Sequence, residues 1–515
     1  MSASISTPND AEAAGGRGKR VAVVPLTAGA CLGLAVGSFC GGSLQSIYPY
    51  IAGSLGTSSD HALWTLTYFL IHWALGIALM PWFARRFGYR LLFIASMVLL
   101  AIGAAMGIVA HSLMAMIVAR GVQGISAGLL VPLVQTLLLR HFPRSHHTLA
   151  TALWSNSMLV PFFFGPALGG WLAVNAAWTD SFWLVIPGSV VSLLLVWISL
   201  PADPPAEKPP RFDFVGLALL WSGLIALQIM LNQGEQFGWF GSPFIQTWFI
   251  ASVILLGGFV IWELTDSAPL IELRFIANRN FGFGLLLLCL GWSIFVGWSS
   301  ILPLWTEETL GYNGWWGGVL LIPLALTAIP VATAMGPVAR LTSLRVLAAL
   351  CFVLFAAAFA IAVYSPDVGL PEMAASELIQ GVAVGMLFVP LTMIILSDIA
   401  PEDIAAASTT SNFIRLASDI IGVTMLETLW QRRTEGVADR MRAGMDPTVV
   451  RQWMTHLHSR GIDHAQATAA LVSRLNLEAN TWSLDDALRL SAWICIVAAV
   501  LSLILLRGKR SRKTP

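Results

Sequence analysis

Several ionisable side chains lie where they are costly to keep. Arg120, Glu377, Arg415, Asp419 and His72 all interrupt long apolar runs. A charge at the middle of a buried helix costs about 2.5–3.5 kcal/mol on the insertion scale, so each such group calls for a role and a partner. Arg415 and Asp419 are spaced i,i+4 on one helical face, with Glu427 two turns further on. The chemistry open to such groups is proton binding and charge exchange, because a carboxyl can alternate between a proton and an arginine partner. Imidazole changes charge near neutral pH when unperturbed, so His72 reads either as a proton relay or as a packed hydrogen-bonding residue. No nucleotide-binding loop and no paired metal ligands occur, so neither catalysis, ATP, a metal nor another cofactor is expected. Cys31, Cys40, Cys289, Cys351 and Cys495 all fall inside apolar runs and read as small buried residues rather than disulfides.

The elements that must hold these groups are set by hydrophobicity. The chain is 57% hydrophobic and only 11% charged, with a mean hydropathy of +0.75, which excludes a water-soluble globule. A run of about 20 apolar residues matches a hydrocarbon core of roughly 30 Å and must be helical to satisfy its backbone internally. Fourteen such runs are predicted, near 22–47, 62–83, 90–110, 113–138, 148–173, 181–200, 214–231, 245–263, 281–305, 315–338, 345–364, 373–397, 404–430 and 487–506. An even number puts both ends on one side. Arg17, Lys19 and Arg20, the cluster Arg507, Lys509, Arg510, Arg512 and Lys513, and the short loops with Arg85, Arg86, Arg90, Arg140 and Arg144 mark that side as cytoplasmic. The charged stretch 431–486 is then outside, with helix-forming segments that suit a small amphipathic cap. The polar start does not read as a signal peptide. A net charge of +1 gives no reason to expect a nucleic-acid partner.

The chain also repeats itself. Arg90-Leu-Leu-Phe recurs as Arg345-Val-Leu-Ala, Gln123-Gly124 with Gly128 and Pro132 as Gln380-Gly381 with Gly385 and Pro390, and Ser155-Asn156 as Ser411-Asn412. The shift maps span three onto eleven, four onto twelve and five onto thirteen. The expected fold is therefore an all-α membrane protein of two pseudo-symmetric six-helix bundles with two inserted helices, its central site at the repeat interface. The organisation that follows is a tail (1–21), a first bundle (22–200), a proline-rich linker (201–213), the inserted pair (214–263), a second bundle (281–506, including 431–486) and a second tail (507–515). By the repeat, Glu377 is the counterpart of Arg120, which places the two at one depth on opposite cavity walls as a candidate coupling pair; a static structural charge is the plainer reading.

Several motifs resemble a known family. Arg86-Phe87-Gly88-Tyr89-Arg90, with Arg85 before it, is similar to the loop motif of the major facilitator superfamily. Arg120-Gly121-Val122-Gln123-Gly124 fits its span-four motif, and Gly165-Pro166-Ala167-Leu168-Gly169-Gly170 its antiporter signature. Leu231-Asn232-Gln233-Gly234-Glu235, Ile271-Glu272-Leu273-Arg274-Phe275 and Ser411-Asn412-Phe413 are similar to EmrB-type drug:proton antiporters with fourteen helices. The resemblance implies proton-driven export of lipophilic small molecules across a bacterial inner membrane, with a periplasmic adaptor protein and an outer-membrane channel as partners. The glycines permit close helix approach and Pro166 a bend, as a rocking hinge requires. Arg85, Arg86 and Arg90 are suited to holding helix C-termini on the cytoplasmic rim.

Two positions depart from that family. Arg85 replaces the loop acid, and Cys40 stands where these antiporters carry a span-one acid, so coupling falls to other groups. Asp419, where the family has a small residue, either replaces the missing acid or neutralises Arg415. Trp64, Trp154, Phe162, Phe163, Phe164, Trp292 and Trp298 are candidates for lining an apolar chamber. Uptake or symport of an organic solute, and a non-transporting receptor or scaffold, remain the rival functions.

Overall fold

A computed structural model describes residues 22–506 apart from 144–145, 202–210, 235, 401–402 and 461–462. Both basic tails, Arg144, Glu235 and most of the proline-rich linker therefore lie outside the described residues. Sixteen α-helices are described and no strand: α1 (Val23–Leu55), α2 (Ser59–Phe87), α3 (Tyr89–Ile108), α4 (Leu113–His141), α5 (His147–Asn175), α6 (Asp180–Ser199), α7 (Phe214–Gln233), α8 (Pro243–Thr265), α9 (Arg279–Glu308), α10 (Gly314–Val319), α11 (Ile322–Leu341), α12 (Leu344–Ile361), α13 (Leu370–Ile395), α14 (Ile404–Gly444), α15 (Pro447–Ser459) and α16 (His464–Leu505).

Among the described residues thirteen spans are long and apolar enough to cross a membrane, with α10 and α11 counted as one. The fourteenth run, 404–430, is the first part of α14 and is missed by apolarity alone, because Arg415, Asp419, Glu427 and a Ser/Thr/Asn-rich start dilute it. It is nevertheless packed among α2, α9 and α16, with Phe413, Leu416 and Val423 buried. Position therefore identifies what hydropathy does not.

The internal repeat has a physical counterpart. In the first bundle α2 packs on α4, α1 on α5 and α6, and α3 on α4 and α6. In the second, α11 packs on α13, α9 on α14 and α16, and α12 on α13 and α16. The bundles meet along two seams that are also repeat-related: α5 against α10 and α11, and α14 against α2. The inserted pair packs on itself, and α7 also touches both α2 and α14, so it lies along the second seam. There Asn232 donates to Thr67 Oγ1 at 3.1 Å, and Arg432 lies 5.0 Å from the Trp239 ring.

Two local features differ from the sequence expectation. The tenth span is broken: a six-residue α10 precedes α11, with Leu320 and Leu321 between them and a proline in the first turn of α11. The reason is close docking, since a Cβ built on Gly318 would lie 2.5 Å from Ala167 Cα, and one on Gly314 2.9 Å from Ser46 O. The stretch 431–486, expected between spans ending at 430 and starting at 487, is built largely from continuations of those two helices, with α15 between them. Helix α14 runs on unbroken for 41 residues and α16 begins well before the membrane, so the two project together beyond the bundle. Val437, Ala438, Leu475 and Ala479, joined by Met441 and Met445, give this projection a small core of its own, and Arg433 pairs with Asp486 at 2.9 Å across it.

Gly318→Val is expected to force α10 away from α5 and cost about 1–3 kcal/mol, as overpacking does. Thermal unfolding of the purified protein would check this, with Gly436→Val on the open face of the projection, where a Cβ meets nothing within 4 Å, as the neutral comparison.

Candidate functional site

The two seams bring one group of predicted residues together. A narrow cavity of about 20 Å³ lies between the bundles, lined by Leu70 and Trp73 of α2, Met158, Leu159 and Phe162 of α5, Trp292 and Val296 of α9, and Arg415, Leu416 and Asp419 of α14. Arg415 and Asp419 are each 1% exposed. Trp292 stands between them, its indole Nε1 donating to Asp419 Oδ2 at 2.8 Å while the Arg415 guanidinium lies 4.9 Å from its ring. Phe388 closes the other side of the guanidinium at 5.2 Å. The i,i+4 spacing thus puts both charges on one face of α14, yet no ion pair joins them. Arg415 Nε and Nη1, Asp419 Oδ1 and Trp73 Nε1 have no hydrogen-bond partner. Four unsatisfied polar atoms around one apolar cavity are costly in a static core and fit a site whose partners change.

Directly along α2 and α14 from this cavity, on the side of the α14–α16 projection, lies a vestibule of about 560 Å³. Ser58, His61, Asn232, Glu308, Thr424, Glu427 and Asn480 are among its lining residues. It opens on the α2–α14 seam, whereas the opposite seam is held tight on that side by the α5–α10 glycine contacts.

Arg120 and Glu377 are not brought together. Each is bound inside its own bundle by the glutamine one turn later. Arg120 Nη1 donates to Gln123 Oε1 at 2.9 Å and to Cys40 O at 3.3 Å, and the guanidinium lies 4.4 Å from the Phe182 ring. Gln380, with its amide nitrogen turned inward, donates to the two Glu377 oxygens at 3.1 and 3.2 Å. Glu377 lines a pocket of about 10 Å³ with Tyr364, Ser376 and Trp298, where Tyr364 Oη and Ser376 Oγ are 2.8 Å apart. The facing pair inferred from the repeat is therefore replaced by two repeat-related side-chain pairs. Repeat equivalence places residues in matching local surroundings, and those surroundings contain the partner.

The remaining candidates fall into packing roles. His72 Nδ1 bonds the Tyr68 carbonyl at 2.7 Å, which requires the proton on Nδ1, and its ring meets Trp221 of α7 edge-on at 6.0 Å. It thus sits between α4 and α7, away from the cavity lining. Gly124 is where α4 crosses α2: a Cβ there would lie 2.9 Å from His72 Cβ. Gly165 and Gly169 face Ser43 of α1, and Gly170 faces Gly314 of α10, while Pro166 is carried within α5. At the loop, Gly88 has φ +81° and ends α2 as it starts α3, a conformation that favours glycine. Arg90 donates to Trp197 O near the end of α6 at 2.9 Å, and Arg86 lies 5.3 Å from the Phe87 ring; Arg85 is exposed. Of the aromatic candidates only Phe162 and Trp292 line the central cavity. Trp73, not singled out from sequence, joins them there, and Phe388, also not singled out, packs on Trp292 and Arg415 beside it. Among the described residues no group of three or more His, Cys, Asp or Glu is placed to hold a metal ion.

Two matched helical bundles meeting around a buried, partly unsatisfied polar site define a membrane transporter fold. Residues 30–423 match the Major Facilitator Superfamily, and the chain belongs to that superfamily, among its EmrB-type members. The multidrug export protein EmrB of Escherichia coli strain K12 is 32% identical over 453 residues, covering 87% of this chain and 88% of that protein. The fatty acid resistance protein FarB of Neisseria gonorrhoeae is 32% identical over 421 residues, covering 81% and 83%. A crystal structure of the peptide transporter POT in complex with sulfate aligns with a TM-score of 0.60 at 15% identity, covering 94% of this chain and 96% of that one, and shares the fold.

Trp292→Phe keeps the ring under Arg415 but removes the indole hydrogen bond to Asp419 Oδ2. It is expected to lower stability by about 1.5–3 kcal/mol, the scale for a hydrogen bond to a charged group, as read by thermal unfolding. Trp305→Phe, whose indole Nε1 has no partner, is expected to cost less.

Proposed function

We propose that the protein exports hydrophobic, toxic small molecules by alternating access, driven by proton entry through Asp419. The observation that carries this reading is the unpaired Arg415–Trp292–Asp419 group on the seam between the bundles. The apolar and aromatic walls around it suit a lipophilic cargo. A carboxylate at Asp419 attracts the neighbouring guanidinium, and a proton on it removes that attraction. Because α14 packs on both α9 and α2, a change in this pairing acts directly at the α2–α14 seam. Export of several drugs is supported by the name of the multidrug export protein EmrB, and a lipophilic cargo by that of the fatty acid resistance protein FarB. Glu377, enclosed in the second bundle beside Gln380, is the second candidate proton carrier.

The reading includes a sidedness. By the positive-inside rule, the loop arginines 85, 86, 90 and 140 support a cytoplasmic assignment for that face and for both termini at a bacterial inner membrane. The α14–α16 projection then stands in the periplasm, where it is the surface offered to an adaptor protein leading to an outer-membrane channel.

Cells expressing the protein are expected to accumulate less of a lipophilic dye, and an uncoupler is expected to abolish the difference. Asp419→Asn is expected to reduce proton-linked export in proteoliposomes at least tenfold, with Glu377→Gln as the parallel test. Uncoupler-insensitive export, or full coupling in both variants, would overturn the proton assignment. Unchanged accumulation across a broad panel would overturn the export reading.

A further inference from the structure

A second pair of buried acids lies at the base of the inserted helices, on the face carrying the loop arginines. Asp213 is 7% exposed and Glu263 3% exposed. Asp213 Oδ1 is fully engaged: it accepts the Gly216 amide at 2.8 Å, capping α7, and the Trp262 indole N–H at 2.9 Å. Glu263 Oε2 accepts the Ile271 amide at 3.0 Å. The other oxygen of each, Asp213 Oδ2 and Glu263 Oε1, has no partner. Those two oxygens converge beside Gly216, where a Cβ would strike both, and the two carboxyl groups interact directly.

Two facing carboxylates in a desolvated setting repel, and each unpaired oxygen adds a desolvation cost. Nearby charges do not relieve this. Arg211 is exposed and paired with Asp266 at 3.8 Å. Arg274 of the following connector is paired with Glu272 at 2.5 Å and Asp403 at 3.6 Å. Arg85 and Arg86 at the end of α2 are exposed. The simplest group that satisfies both orphan oxygens at once is a hydrogen between them.

We propose that Asp213 and Glu263 hold one proton between them, making the start of the inserted pair a proton-binding site separate from the cavity between the bundles. The site occupies a junction. Asp213 ends the linker from the first bundle, and Glu263 holds the connector 266–278 that leads into the second. A single shared hydrogen thus ties together the two chain segments that tether the inserted helices. Losing it at alkaline pH leaves two like charges face to face and loosens both tethers.

The test is thermal unfolding of the purified full-length protein as pH is raised from neutral. Wild type is expected to lose stability as the shared proton leaves. In Asp213→Asn the amide oxygen keeps the cap and the Trp262 contact, while its N–H₂ supplies the missing hydrogen to Glu263. That variant is expected to match wild type at neutral pH and to lose the alkaline fall, whereas Asp213→Ala is destabilised at every pH. An alkaline fall in Asp213→Asn as steep as in wild type would reduce Asp213 to a helix cap and overturn the proposal, as would equal destabilisation of both variants at neutral pH. Stabilisation of wild type but not Glu263→Gln by magnesium or sodium salts would assign the pair to a cation instead. None of these readings depends on transport, so failure of the export proposal leaves this one intact.

Discussion

The Trp292 indole separates two opposite charges that the bundle has buried without joining. Its edge holds the Asp419 carboxylate and its face supports the Arg415 guanidinium. Had the two closed on each other, the site would be a static ion pair of the kind that contributes little once desolvation is counted. Held apart on one helical face, they leave polar atoms open towards a cavity that both bundles line. The arrangement costs stability, and the surrounding aromatic walls offset part of that cost through burial and cation–π contact.

The asymmetry of the two seams follows from side-chain size. On one, Gly170 and Gly318 let α5 and α10 meet at backbone distance. On the other, α2 and α14 are kept further apart on the projection side by a polar vestibule, and α7 lies alongside. Helix α7 of the inserted pair lies along the looser seam, and the tethers of the pair converge on Asp213 and Glu263. A fold built from repeated halves need not have equivalent interfaces, because contacts between halves involve residues that the repeat does not constrain to match.

Much of this was legible in the sequence. Hydrocarbon forces each pass to be an apolar helix, so the passes were readable from composition, and the offset between matching motifs gave the two-bundle plan. The i,i+4 spacing of Arg415 and Asp419 put both groups on one helical face; that this face borders a cavity between the bundles was not readable from it. What was not legible depended on neighbours distant in the chain. The kink between α10 and α11 comes from docking on α5, and the continuity of α14 past residue 430 from the core it builds with α16. The separation of Arg120 from Glu377 was missed for a specific reason: each has its partner at i+3, Gln123 and Gln380, and that local spacing outweighed the long-range symmetry argument. Asp213 and Glu263 were invisible because fifty residues separate two acids that only the α7–α8 pairing brings face to face.

The absence of a break at residue 430 has a mechanical consequence. Helix α14 carries Arg415 and Asp419 near the middle of its 404–430 stretch and runs on to Gly444, about 20 Å further at 1.5 Å per residue. A rod that pivots within the bilayer sweeps its free end through a wider arc than its embedded part. If α14 reorients around Asp419 as proposed, the displacement would be magnified at Gly444, and the crossing would act as a lever whose stroke is delivered outside the lipid.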